Sequence, residues 1–351
     1  MSRTLLILLS CLITTCGLLG ACTKKNEAPT KKELNLSIWG NYLSPEIQEK
    51  FEKETGIKIN VSNYSSNEEL LAKVQMGSSG IDVAVPSDYM VQIMIKMNLL
   101  ESLNSSQLTN KSLIAAEFLN QSYDPENKYS MPYTWTSTGI AYNKDLYKGK
   151  MKSWKDLLAN KELKGKFALM DDSREAVGAA LKIQGASINS TKEAELVKAK
   201  EVLLAAKKDI KMFTSDTIDI LKNKEVVAAQ AYSSDALQAG VQTGGSIAFI
   251  LPEEGGTYAI DNFVIVKGAK HIDEAHKLIN FLLSEEAEIA KIKTIMGGPI
   301  HKNIKAKLPK EIQENPVLFM TPESFKKLEH IQDLGESSKS FDDIWTEVKT
   351  K

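Results

Sequence analysis

The sequence predicts an α/β fold with largely parallel sheets. Short apolar runs with strand-like alternation recur along the chain, and each is followed by a stretch with helical spacing. Ser with Pro or Glu behind it marks helix starts, and Gly marks a helix end. Strands and helices alternate instead of segregating, the order that parallel sheets with crossover helices require.

The N-terminal stretch stands outside that pattern. Arg3 supplies a short positive region, Leu5 to Leu19 is apolar apart from Ser10, Thr14 and Thr15, and small residues follow at Gly20 and Ala21. Residues 1–21 read as a secretory signal, because the apolar stretch is short for a membrane span of about 20 residues. Leu19-Gly20-Ala21-Cys22 resembles the lipobox of bacterial lipoproteins. That resemblance implies cleavage before Cys22, lipidation of its sulfur and acylation of its new amino terminus. The expected product is an exported, membrane-anchored lipoprotein on a periplasmic or cell-surface face. Cys11 and Cys16 leave with the signal, so the processed chain has one cysteine and no internal disulfide. Residues 22–33 are polar and aperiodic and read as a lipidated tether.

The fold begins at Leu34. Leu34, Leu36 and Ile38 alternate with Asn35 and Ser37, as in a strand, and Trp39 ends it. Ser44 is a good N-cap, Pro45 fits the first helical position and Gly56 follows the helix. Ile57, Ile59 and Val61 alternate again, and Ser66-Asn-Glu-Glu69 reads as a capping box. A short strand over 81–85 stops at Pro86-Ser87. The next helix carries Met90, Met94 and Met97, read as core residues. Further strands are expected over 166–170, 226–232 and 247–251, and another after the turn at 253–256. A single amphipathic helix is expected from Ile272 through Ile292. Trp154 and Trp345 read as packing residues, His271 and His276 as solvated.

At 351 residues, 42% hydrophobic and 25% charged, the chain is long enough for two domains. Lys+Arg 44 against Asp+Glu 45 gives no global field, so nucleic acid is not an expected partner. The sequence has no G-x-S-x-G, H-E-x-x-H or P-loop motif, and its four histidines have no metal-ligand spacing. Neither an enzyme, a cofactor nor a metal is expected.

Ligands of open α/β sheets collect where strands end. Five polar-aromatic clusters lie at such places: Trp39-Gly-Asn41-Tyr42, Ser87-Asp88-Tyr89, Asp171-Asp172-Ser-Arg-Glu175, Tyr232-Ser-Ser-Asp235 and Tyr258-Ala-Ile-Asp261. Helix N-termini alone favour anions. Asp88, Asp172, Glu175, Asp235 and Asp261 reverse that preference towards ammonium groups, with aromatic faces to hold a methylene chain. Each cation–π contact adds roughly 0.5–2 kcal/mol. Any single acid here also fits a helix-start carboxylate that accepts backbone N–H groups.

These stretches, with "DVAVPSDYMV", "YSMPYTWTSTGIAYN" and "MDDSREAVGAAL", resemble the spermidine/putrescine-binding proteins of bacterial ABC importers, from about Glu33 to Lys351. The resemblance implies a two-lobed type II periplasmic-binding-protein fold, with two parallel-dominated mixed sheets joined by a two-strand hinge. It places crossings near 139–141 and 259–261. One lobe would be 34–139 plus 260–305, the other 140–259 plus 306–351. It implies a monomer with a polyamine between the lobes, delivered to the permease of an ABC importer. Trp39, Tyr42, Ser87, Tyr89, Asp172, Glu175, Tyr232 and Asp261 match pocket positions, and Asp235 an acid of the putrescine-selective branch. Asp171 reads as the structural member of its pair. Asn41 replaces an acid, Ala259 an aromatic and Gly298 a tyrosine; Tyr258 and Trp135 are candidates to fill the space. The family's late pocket glutamine falls at Ile331 or Gln332. Arg174, the only arginine after the signal, is expected either to orient a neighbouring carboxylate or to lie on the surface. Ferric iron, a sugar or a short peptide is the alternative ligand class, and a carboxylate-pair hydrolase the alternative activity.

Overall fold

A computed structural model describes residues 32–40, 42–77 and 79–350. The signal, the Cys22 anchor, nearly all of the tether and Asn41 lie outside the described residues. Strand β1 (Lys32–Trp39) leads into helix α1 (Pro45–Thr55), which is followed by β2 (Ile57–Tyr64), parallel to β1. The α1 boundaries follow the local signals. Ser44 Oγ accepts the Ile47 N–H at 3.2 Å, and Gly56 closes the helix at φ 69°, its N–H on the Glu52 carbonyl.

Helix α2 (Asn67–Gln75), β3 (Val83–Ala84), α3 (Asp88–Lys96) and β4 (Leu100–Glu101) follow. Then comes the long strand β5 (Ser130–Asn143). The second half begins with α4 (Trp154–Leu158), β6 (Phe167–Leu169), α5 (Ser173–Ile183), α6 (Glu193–Lys207) and β7 (Ile210–Phe213). It continues with α7 (Thr217–Lys222), β8 (Ala228–Tyr232), α8 (Ser233–Gln242) and β9 (Ile247–Ile250). Strand β10 (Gly256–Val266) returns to the first sheet, where α9 (Ile272–Leu282) and α10 (Glu285–Ile295) follow. Short α11 (Lys310–Gln313), α12 (Pro322–Phe325) and β11 (Leu328–His330) lead to the last helix, α13 (Ser338–Thr350).

The strand order is β2-β1-β3-β10-β5-β8-β6-β7, with β4 and β11 on β10 and β9 on β5. Pairing is parallel at the outer strands, among β2, β1 and β3 and among β7, β6 and β8. Along β10 and β5 it is antiparallel, apart from β11. Strand β5 belongs to both sheets: up to Ser137 it pairs with β10, and from Thr138 with β8. Gly139 sits at this change because a Cβ there would lie 2.4 Å from the Ile250 carbonyl oxygen.

Two hydrophobic cores flank the change. Leu34, Leu36, Phe51, Phe263 and Leu278 centre the first; Trp154, Phe167, Leu203, Phe341 and Trp345 centre the second. Burying each such side chain is worth about 1.5–3 kcal/mol. The periodic positions of α13, Phe341, Ile344, Trp345 and Val348, seal the second core.

Four local expectations need correction. The single helix from Ile272 is two, because Ser284 caps a new start by accepting the Ala287 N–H at 3.3 Å. His276 is not solvated: it is 2% exposed, and its Nε2 accepts the Asn104 N–H at 2.8 Å. Met97 is 45% exposed, since α3 has ended before it, while Met90 and Met94 are core. The Ser66 box is open: Ser66 accepts from Glu69, but Glu69 reaches back to the Ser65 N–H.

Candidate functional site

Asp261 lies on β10 where the register with β5 shifts between Asp261 and Asn262, and such a bulge re-aims side chains. It is 3% exposed. Its Oδ1 accepts the Ser87 hydroxyl at 2.7 Å, and its Oδ2 accepts the Tyr42 hydroxyl at 2.8 Å. Burial pushes its carboxyl up to about 7, against the pull of these two hydrogen bonds. Ser87 precedes α3 but makes no side-chain cap; its hydroxyl is committed to Asp261. Asn67, at the start of α2, fixes it by accepting the Ser87 N–H and donating to Ser87 Oγ, both at 3.1 Å.

Trp39 and Tyr42 leave the end of β1 beside this acid. The Trp39 indole N–H is held by the Val85 carbonyl at 3.0 Å, and its ring packs on Tyr64 at 4.7 Å. Tyr42 stands 6.4 Å from Trp39 and 6.1 Å from Tyr133, whose hydroxyl donates to the Tyr42 carbonyl. Burial, then the Asp261 charge, holds the Tyr42 hydroxyl well above its ordinary value, so it remains a donor.

A second group comes from the other sheet. Asp172 caps α5, its Oδ1 accepting the Arg174 and Glu175 N–H groups at 2.8 and 3.1 Å. The helix-start role is therefore real for Asp172, and it leaves Oδ2 without a protein partner among the described residues. Glu175 is 4% exposed and accepts the Thr138 and Thr257 hydroxyls at 3.0 and 2.8 Å. Burial first, then the Asp172 charge, pushes Glu175 up to about 8. Asp235, in the first turn of α8, accepts the Thr217 hydroxyl at 3.3 Å and is pushed up by burial to about 7. Tyr232 ends β8, and its hydroxyl is raised by burial and then by Glu175, Asp172, Tyr89 and Tyr42. Tyr42 in turn feels Asp235. Side chains of the two groups are thus within electrostatic reach of one another.

Among the described residues, none of Asp172, Glu175, Asp235 and Asp261 has a lysine or arginine within 4 Å. Arg174 does not orient a carboxylate: its guanidinium donates to the Gln332 carbonyl and to Asn189, and lies over the Phe341 ring. Asp171 faces away, accepting the Trp345 indole N–H and Lys349. Among the described residues no group of three His, Cys, Asp or Glu is placed to hold a metal ion.

Asp88 sits at the edge of the first group with its carboxylate engaged by protein. Oδ2 accepts the Ile260 N–H at 3.2 Å and contacts His330 Nδ1 at 2.6 Å; Oδ1 accepts the Tyr89 N–H at 2.7 Å. The Tyr89 hydroxyl donates to Glu68 at 3.0 Å. Gly298 lies against the Trp135 ring, and a Cβ there would come within 2.1 Å of it, so Trp135 fills that space. Tyr258 packs on Trp135 at 5.7 Å. Ala259 is half-buried opposite Thr136; Ile331 is buried and Gln332 exposed. A separate cavity of about 390 Å³ lies on the far side of Trp135, beside Phe319 and Phe325.

Asn67, Glu68, Thr138, Thr257 and His330 were not singled out from the sequence. Glu68 and Asn67 lay inside the capping signal and were absorbed by it. The two threonines and His330 sit on strands and meet partners on helices far away in the chain, Glu175 on α5 and Asp88 on α3, His330 across 242 residues.

The family of bacterial extracellular solute-binding proteins matches residues 46–320. The chain is 32% identical to the putrescine/cadaverine-binding protein of Pseudomonas aeruginosa, covering 93% of this chain and 96% of that one. It is 35% identical to the spermidine/putrescine-binding periplasmic protein of Escherichia coli, covering 89% and 90%. The structure of the spermidine/putrescine ABC transporter substrate-binding protein PotD of Streptococcus pneumoniae superimposes with a TM-score of 0.79 at 30% identity, over 91% of this chain and 98% of that one. The α/β architecture with two cores is thus the two-lobed type II fold of these neighbours, and the chain belongs to the bacterial extracellular solute-binding proteins.

Proposed function

We propose that this protein binds a linear polyamine, such as putrescine or spermidine, outside the cytoplasm and delivers it to the permease of an ABC importer. The observation that carries this reading is the set of four acids, Asp172, Glu175, Asp235 and Asp261, set among Trp39, Tyr42, Tyr89 and Tyr232 with no lysine or arginine within 4 Å among the described residues; Arg174 acts on Asp172 and Glu175 only from further off. Burial pushes all four carboxyls towards protonation, and the Asp172 charge adds to this at Glu175. A chain with an ammonium at each end supplies the missing charges, and the aromatic rings line its methylenes. Relatives of matching length bear the names of polyamine-binding proteins, which supports the same reading. Ser87 and Asn67 position Asp261. Asn41 stands between Trp39 and Tyr42 in the sequence, and we include it among the ligand contacts. Asp88 acts through Ile260 and His330.

In this reading the lobes are 34–139 plus 260–305 and 140–259 plus 306–351, and the ligand holds them closed. The chain does no chemistry on its ligand and acts as a monomer, anchored by lipid at Cys22. Calorimetric titration of the full chain, freed of amine, with putrescine, cadaverine, spermidine and spermine tests the reading. Micromolar or tighter binding of at least one amine is expected, roughly −8 kcal/mol. Flat titrations with all four on folded protein would refute it.

A further inference from the structure

Glu288 and Lys291, one turn apart on α10, form an ion pair at 2.5 Å with both side chains 2% exposed. Other long-range pairs, such as Lys182–Glu329 and Lys96–Asp333, reach the surface. Taking two charges out of water carries a desolvation cost that apolar side chains of the same volume avoid. Each member also bonds outside α10. Lys291 Nζ donates to the Tyr133 carbonyl at 2.6 Å and lies 5.3 Å from the centre of the Tyr133 ring. Glu288 Oε1 accepts the Ile300 N–H at 2.8 Å. Ile300 follows Gly298 and Pro299, which are themselves bonded to Thr134 and Trp135. The pair thus grips β5 at residues 133–135 both directly and through the segment that runs beside it.

Tyr133 is the residue of β5 that has no partner on β10 at this point. Thr134 pairs with Asp261 and Pro132 with Asn262, so Tyr133 is the extra residue of the bulge beside Asp261. An extra residue drops out of the ladder, and its buried backbone groups need partners elsewhere. Lys291 is that partner for the carbonyl. The Tyr133 side chain also serves the aromatic wall. Its hydroxyl donates to the Tyr42 carbonyl, and the Tyr42 hydroxyl donates to Asp261 Oδ2 at 2.8 Å. Tyr133 therefore reaches Asp261 twice, through the bulge and through Tyr42.

We propose that the buried Glu288–Lys291 pair positions the ligand site: by fixing the Tyr133 carbonyl it holds both the bulge that aims Asp261 and the tyrosine that carries Tyr42. Glu288 and Lys291 are positioning residues and do not touch the ligand. The inference rests on the polyamine reading above and adds to it the support of one of its acids.

The test is the double variant Glu288→Gln, Lys291→Met in the full chain. Glutamine keeps an acceptor for the Ile300 N–H, methionine occupies the lysine's place without a donor, and no buried charge is left over. Titrated with putrescine and spermidine, the variant is expected to bind at least about fivefold more weakly than the parent. Added to Asp261→Asn, the same double change should weaken binding less than twofold, because linked residues act non-additively and the acid being aimed is gone. Lys293→Met, on the exposed face of α10, is the control and should stay within twofold. Affinity of the double variant within twofold of the parent, or an equal loss with and without Asp261→Asn, overturns the positioning role. So does a chain that no longer melts cooperatively, since the pair is then a strut of the fold. Crystal structures of parent and variant without amine read the same claim independently. Asp261 is expected to lose the Ser87 or the Tyr42 hydroxyl in the variant, and both contacts unchanged overturn the proposal. A parent that binds neither amine refutes the polyamine reading, while the amine-free structures still decide the positioning role.

Discussion

At residue scale the proposed role of the acids rests most plainly on Asp261. A carboxylate that is 3% exposed, with two hydroxyl donors and no cation, is incomplete as a structural element. Asp261→Asn keeps the shape and removes the charge. Losing one partner of a desolvated charge pair costs about 2–5 kcal/mol, so polyamine affinity should fall at least tenfold by calorimetry. Ser105→Ala, in an exposed turn remote from the site, is the control and should change nothing. Gly298 carries a different prediction. An added methyl would meet the Trp135 ring, and overpacking of this kind costs about 1–3 kcal/mol. Gly298→Ala should therefore lower the urea midpoint; an unchanged midpoint would mean the ring moves aside freely. The sequence made the acids legible because acid beside aromatic at a strand end is a local pattern. It did not reveal that Asp88 is engaged by Ile260 and His330, because those contacts span 172 and 242 residues.

Helix starts were legible at the scale of elements because caps are local chemistry. Ser44, Pro45 and Gly56 bound α1 as the sequence implies, and Asp172 caps α5. The break between α9 and α10 was missed because apolar periodicity continues across it. The signal was present in Ser284 followed by Glu285 and Glu286, a cap with an acidic first turn. Ser284→Ala should cost about 1 kcal/mol, read as a lower denaturation midpoint; no change would assign the break to packing alone. The segment from β11 to the start of α13 had almost no periodicity to read, and its contacts explain it. Glu329 pairs with Lys182 at 2.8 Å, His330 with Asp88 at 2.6 Å and Asp333 with Lys96 at 2.8 Å. Glu329 is thus tied to α5 and His330 and Asp333 to α3, so the order of the chain there is set by tertiary partners.

The alternation of strands and helices was enough to specify the α/β class of the whole molecule. Antiparallel pairing along β5 and β10 was not legible, since period-two patterns do not encode strand direction. The acids also give the molecule a pH dependence. Asp261 and Asp235 are raised to about 7 and Glu175 to about 8, from unfolded values of roughly 4. Between those limits the folded, ligand-free protein holds protons that the unfolded chain has lost. Its stability is therefore highest below about pH 4 as far as these groups decide it, and declines as pH rises through about 7 to 8. A dication favours the ionised acids, so binding should strengthen from pH 6 to 8 and release protons. Heats of binding that are equal in buffers of different ionisation enthalpy would contradict this.

A crystal structure of the full chain with spermidine tests the central claim most directly. The account predicts ligand nitrogens within about 3 Å of Asp261 and Glu175 oxygens, with methylenes against Trp39, Tyr42 and Tyr232. Spermidine bound elsewhere, for example in the cavity beside Phe319 and Phe325, with the four acids still unpaired, would contradict it.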